Sequence, residues 1–89
     1  MKKYIILVLG SVTNANRLSK RFFQNYHIHT KMIHTPSELG GKGCSYSLIV
    51  TADALPKLLT TAEELHIAIK GSYLAEQDAH NDVYYHALS

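Results

Sequence analysis

The 89-residue chain predicts an α+β fold: a ferredoxin-like βαββαβ two-layer sandwich with two helices on one face of a four-stranded antiparallel sheet, plus a C-terminal extension. Three observations carry that expectation. A β-branched apolar run opens the chain, two stretches repeat their apolar residues at helical spacing, and each helical stretch is bracketed by short strand-like segments. The length supports one core, so residues 1–74 read as the domain and 75–89 as the extension.

Tyr4 to Leu9 is continuously apolar and stops at Gly10, the pattern of a strand covered on both faces. Ser11 or Thr13 then caps a helix from about Thr13 to Tyr26, whose Val12, Ala15, Leu18, Phe22 and Tyr26 recur along one side while Arg17, Lys20, Arg21 and Gln24 take the other. Ile28 to His34 reads as a second strand, ended by Thr35-Pro36 because the residue before proline favours extended backbone. Tyr46 to Val50 is the third strand, with Tyr46, Leu48 and Val50 on one face and Ser47 and Ile49 on the other. Thr51 or Asp53 caps a second helix that tolerates Pro56 in its first turn and buries Leu55, Leu58, Leu59, Ala62 and Leu65. Ile67 to Leu74 is the fourth strand. In this plan the sheet face away from the helices stays open, with Tyr46 and Leu48 as candidate positions on it, and the extension either covers that face or pairs with another subunit.

Composition narrows the function classes. No segment approaches the roughly 20 apolar residues of a membrane helix, and the short apolar run after Met1-Lys2-Lys3 lacks a cleavage pattern, so the expected location is cytoplasmic. The single cysteine forms no internal disulfide, which fits a reducing compartment. Residues 1–44 hold seven Lys/Arg and one acid, whereas 45–89 hold two Lys and six acids; the basic half suits an anionic partner, although solvated helix faces explain the same asymmetry.

One stretch gathers chemistry. Residues 35–44 form a loop longer than a hairpin needs, and Gly40, Gly41, Lys42, Gly43, Cys44 and Ser45 close it. Glycines let backbone N–H groups converge into an anion-binding nest, and Lys42 adds a cation two residues from the thiol. Both favour thiolate at Cys44. With no second cysteine in the chain, such a thiol exchanges with another molecule's sulfur and is not a self-contained oxidoreductase. The bland alternative is a buried cysteine acting as a small hydrophobe.

Other chemistries are poorly served. His27 and His29, two apart, would share one face of a strand, but nothing supplies a third and fourth ligand, and no metal or other cofactor is expected. Lys42-Gly43-Cys44-Ser45-Tyr46 departs from the RNA-recognition signature where aromatic residues should stack bases, so nucleic acid is not the expected partner. A phosphate loop needs Ser or Thr directly after Gly-Lys at a helix start, and a strand follows here. Ser45 and Ser47 have no sequence signal linking them to a histidine base.

Gly10-Ser11 after the first strand, the Thr13-Asn14-Ala15 helix start, His34-Thr35-Pro36, and Gly43-Cys44 ahead of a strand and a leucine-rich helix together resemble the small bacterial putative selenium/sulfur carrier protein-like family, over about Lys3 to Leu74. The resemblance implies that Cys44 holds sulfur or selenium as a persulfide or selenopersulfide and exchanges it between donor and acceptor proteins, a carrier more than an enzyme. Lys42 would stabilise its thiolate, and Gly40, Gly41, Gly43 and Ser45 would form the loop around it. Ser45 stands where the pattern commonly has glycine. The competing expectations are a non-catalytic interaction or ligand-sensing module that dimerises through its open sheet face, and a redox-sensing thiol.

Overall fold

The computed structural model describes residues 2–40 and 45–88. Strand β1 (Lys2–Val8) leads into helix α1 (Val12–Tyr26), strand β2 (Lys31–His34), a 3-10 turn at Ser37–Leu39, strand β3 (Tyr46–Val50), a 3-10 turn at Ala52–Ala54, helix α2 (Leu55–Glu64), and strands β4 (Gly71–Gln77) and β5 (Val83–Ala87). All strand pairs are antiparallel, in the order β2-β3-β1-β4-β5. The sheet therefore has five strands, not the four expected. The fifth comes from the extension, where the Asp78–Asp82 turn reverses the chain: Asp78 N–H donates to the Asp82 carbonyl (3.0 Å), and the Asp78 carboxylate accepts from His80 and Asp82 N–H. Val83, Tyr84 and Tyr85 then have the apolar, aromatic composition that fits a pleated edge.

Both helices pack on one face. The larger core joins Ile5, Leu7 and Leu9 of β1 and its continuation with Leu48 and Val50 of β3, Ala15, Leu18 and Phe22 of α1, and Leu58 and Ala62 of α2. The sequence stripes on β1, α1 and α2 are thus observed in the main, but Val12 and Leu59, expected within them, are exposed. Ser11 caps α1, its Oγ accepting from Asn14 N–H at 3.2 Å. His27 ends that helix at φ 56°, a left-handed conformation, with its N–H donating to Phe23 O at 2.7 Å.

Three further features of the expected plan change. The second strand begins at Lys31, not Ile28, because the left-handed His27 turns the chain and residues 27–30 run as a connector. The fourth begins at Gly71, not Ile67, because His66 is also left-handed and residues 67–70 join α2 to the sheet. It continues to Gln77, past Leu74. Third, the face assignment in β3 is reversed: the pairing Leu7↔Leu48 places Tyr46, Leu48 and Val50 under the helices, and Ser47 and Ile49 opposite. Leu48 is fully buried.

The second face is less open than the two-layer plan expects. Ile6, Val8 and Ala75 are buried there, in a smaller cluster completed by Tyr4, Ile49, Tyr73, Val83, Tyr85 and Leu39. Leu39 belongs to the 3-10 turn, so the segment after Pro36 folds back over the sheet. The extension does not cover this face; it widens it.

Candidate functional site

The site expected around the cysteine is rooted where β2 ends and β3 begins. Thr35 and Ser45 face each other there, one residue beyond the His34↔Tyr46 pair, and Thr35 N–H donates to Ser45 O at 3.0 Å. Side chains reinforce the pairing. Ser45 Oγ donates to Thr35 Oγ1 at 2.9 Å, and Thr35 Oγ1 lies 2.7 Å from Ser47 Oγ. Strand alternation explains the arrangement: Ser45 and Ser47 are two apart, so both project from the face away from the helices, and Thr35 meets them from the neighbouring strand. Thr35 and Ser47 are buried, and their mutual hydrogen bond offsets the cost of taking two hydroxyls out of water. Sequence reasoning named Ser45 but missed Thr35 and Ser47 as its partners. The spacing Ser45-x-Ser47 beside a strand-ending threonine was the available signal.

The loop leaves this root along Pro36 and the 3-10 turn. Leu39 N–H donates to Pro36 O and Gly40 N–H to Ser37 O, both at 3.0 Å. Gly40 takes φ 82°, a conformation costly for residues with a Cβ, and among the described residues nothing lies within 4 Å of where that Cβ would stand. The backbone turn is reason enough for a glycine there. Gly41, Lys42, Gly43 and Cys44 lie outside the described residues. Of the expected site residues, Gly40 and Ser45 are therefore placed, one at each end of that segment.

Burial, then the Glu38 carboxylate and Tyr4, push the Tyr85 hydroxyl above its ordinary pKa. The loop's first half is tied to the second face by Leu39, which packs in the cluster that includes Tyr85.

His34 precedes Thr35 in the chain but lies on the opposite face, its ring 4.5 Å from that of Tyr46. That parity separates imidazole from the three hydroxyls and leaves no histidine base beside Ser45 or Ser47. His27 and His29 do not share a strand; both flank Phe23, with ring centroids at 5.7 and 4.3 Å. Among the described residues no group of three His, Cys, Asp or Glu side chains is placed to hold a metal. Tyr4 and Tyr46, which would have to share a face to stack bases, lie on opposite ones. No helix among the described residues is long and apolar enough to cross a membrane.

The excess positive charge of the first half is displayed on both sides. Arg17, Lys20 and Arg21 line a cleft of about 320 Å³ with Gln24 and Leu65 on the helix side. Lys2 and Lys31 border a groove of about 410 Å³, with Tyr4, Ile49 and Gln77, on the face that holds the hydroxyls.

The fold is that of a small α+β protein with a five-stranded antiparallel sheet, in which Gly40 and Ser45 flank the stretch of sequence that holds the one cysteine. The family comparison makes the class specific: residues 3–74 match the family described as "Putative Se/S carrier protein-like", and the chain belongs to it. That span contains Cys44 and stops inside β4, so β5 lies beyond it. No curated protein and no solved structure matches the chain.

Proposed function

We propose that the protein is a sulfur or selenium carrier whose Cys44 holds the atom as a persulfide or selenopersulfide and passes it between proteins. The observation that carries this reading is membership of the Se/S carrier-like family together with the position of the chain's one cysteine inside the matched span. In the loading step the Cys44 thiolate attacks the terminal sulfur of a donor persulfide. A bond forms between Cys44 Sγ and that sulfur, the donor's S–S bond breaks, and the donor leaves as a thiolate. Unloading repeats the exchange with an acceptor thiolate, regenerating Cys44. No net oxidation occurs, so no redox cofactor is needed.

Lys42 stabilises the thiolate electrostatically, Gly40, Gly41 and Gly43 supply backbone N–H groups and access, and Ser45, held by Thr35, fixes the exit of the loop. We read residues 1–74 as a ferredoxin-like core of β1 to β4 with the two helices, and residues 75–89 as the extension that completes β4 and adds the edge strand. The location is cytoplasmic in a bacterium, where a free thiol persists. The basic clefts suit acidic donor and acceptor proteins. Dimerisation through the sheet face is less favoured because Leu39 occupies part of that face.

The test is loading with labelled sulfane sulfur or selenite-derived selenium, read by intact mass. Wild type should gain one atom that a reductant removes, and Cys44→Ser should gain none. Equal loading of the variant would refute the carrier reading. Lys42→Ala should slow alkylation of the thiol at neutral pH without abolishing it.

A further inference from the structure

We propose that the outer edge of β5 is a self-association site, through which two copies of this chain join antiparallel into one ten-stranded sheet about a two-fold axis at Tyr85. The two sheet edges differ in kind. β2 is four residues long and includes Lys31, and a charged lysine on a short strand is a usual way to blunt an edge. β5, Val83-Tyr84-Tyr85-His86-Ala87, carries no proline and no Lys, Arg, Asp or Glu.

Its hydrogen-bonding parity can be read from its inner neighbour. Leu88 N–H donates to Ser72 O at 2.9 Å and Asp78 N–H to Asp82 O at 3.0 Å, so the even-numbered residues of this segment direct their backbone groups toward β4. In an antiparallel ladder the alternate residues point the other way. Val83, Tyr85 and Ala87 therefore direct N–H and C=O outward, beyond the last strand.

That edge is complementary to itself. With the axis at Tyr85, Tyr85 faces Tyr85 of the second copy, Val83 faces Ala87, and Tyr84 faces His86. The first two are hydrogen-bonded pairs, giving on the order of six backbone bonds, two per facing pair. The cross-strand neighbours are aromatic or apolar, and no like charges meet within the strand. Tyr84, 54% exposed, gains a ring partner in His86 of the second copy. An axis perpendicular to the sheet keeps the helices of both copies on one side and the Leu39 loops on the other. The family match ends inside β4, so this interface belongs to the part of the chain outside it. A second copy is favoured over another strand-like partner because this register needs no feature that the chain does not itself supply.

Sedimentation equilibrium of the full chain under reductant, which removes any disulfide through Cys44, should show a reversible monomer–dimer equilibrium. Ala87→Pro deletes an outward N–H and leaves the β4 ladder intact; it should weaken the dimer at least tenfold, as should Tyr84→Lys, with circular dichroism melts confirming that both fold. Residue-resolved hydrogen exchange supplies the signature. The amides of Val83, Tyr85 and Ala87 should be slow at high protein concentration and fast at low, while those of Tyr84, His86 and Leu88 stay slow in both. A monomer at millimolar concentration, a dimer unaffected by both substitutions, or outward amides that exchange fast in the dimer would each overturn the proposal.

Discussion

Thr35 and Ser47, twelve residues apart in the chain, share a buried 2.7 Å hydrogen bond that joins the end of β2 to the neighbouring strand β3. Ser45 extends it outward, so Thr35 is the hub of three hydroxyls at the base of the loop. Thr35→Val keeps the shape and removes the hub. Ser47 Oγ is then left buried without a partner, and stability should fall by about 1–3 kcal/mol. Adding Ser47→Ala should restore much of the loss, because an apolar pair of similar shape is nearly neutral where a half-satisfied one is not. Urea denaturation of the two single variants and the double variant measures this cycle. A double variant whose losses simply add would show that the hydroxyls are energetically independent.

Gly40 predicts a purely conformational cost. Its φ of 82° penalises any residue with a Cβ, and no described residue stands within 4 Å of the added atom, so Gly40→Ala should destabilise by about 1–2 kcal/mol through the backbone alone. Gly40→Asn should lose less, since asparagine tolerates that region better. Thermal melts of the two variants compare them directly; equal losses would point to a role for glycine other than its backbone.

Tyr85 predicts an alkaline limit. Burial in the second cluster, then Glu38 and Tyr4, raise its folded pKa above that of an unfolded tyrosine, about 10. A raised pKa means the neutral phenol is favoured by folding. The contribution is therefore complete below the unfolded pKa and lost as pH rises through the folded one. Stability measured by urea midpoint from neutral pH upward should fall more steeply above about pH 10 in wild type than in Tyr85→Phe. Glu38→Gln should soften that fall by removing one of the charges. Parallel curves for wild type and Tyr85→Phe would remove Tyr85 as the cause.

The larger core predicts the opposite behaviour, a pH-independent loss. Leu58 is fully buried between α2 and the sheet, so Leu58→Ala should cost about 2–5 kcal/mol, enough to bring a domain of this size close to unfolding. Leu59, one residue on and exposed, should tolerate alanine within about 0.5 kcal/mol. The contrast also checks the helix face, because the sequence pattern had placed both leucines in the buried stripe.

Most of the helix-side architecture was legible. Ala15, Leu18 and Phe22 recur at helical spacing, the apolar run from Tyr4 marks all of β1 but its two leading lysines, and the observed β3 has the expected bounds, because each depends on local pattern. What escaped depends on relations between segments. His27 and His66 adopt left-handed conformations that no propensity announces, and each shortened a strand. Alternation in β3 was visible, but which face turned toward the helices was fixed only by the pairing of Leu48 with Leu7. β5 was missed as a strand because the Asp78–Asp82 turn, closed by the Asp78 carboxylate, contains neither Asn-Gly nor Pro. At the candidate site the sequence indicated Gly40 and Ser45 as members of the glycine-rich stretch around Cys44, while Thr35 became visible as a partner only once β2 and β3 were paired.

The alternation of Ser45, Ser47 and Ile49 with Tyr46, Leu48 and Val50 also acts as a proofreading device during folding. Sliding β3 by a single residue against β1 would turn Ser47 toward the helices and Leu48 toward the second face, exchanging a satisfied hydroxyl for a stranded one and a filled position for a void. Ile49 alone would penalise such a slip little, since both faces accept an apolar side chain. The hydroxyl chain makes misalignment costly, and Thr35, Ser45 and Ser47 thereby select the one alignment that sets Thr35 against Ser45.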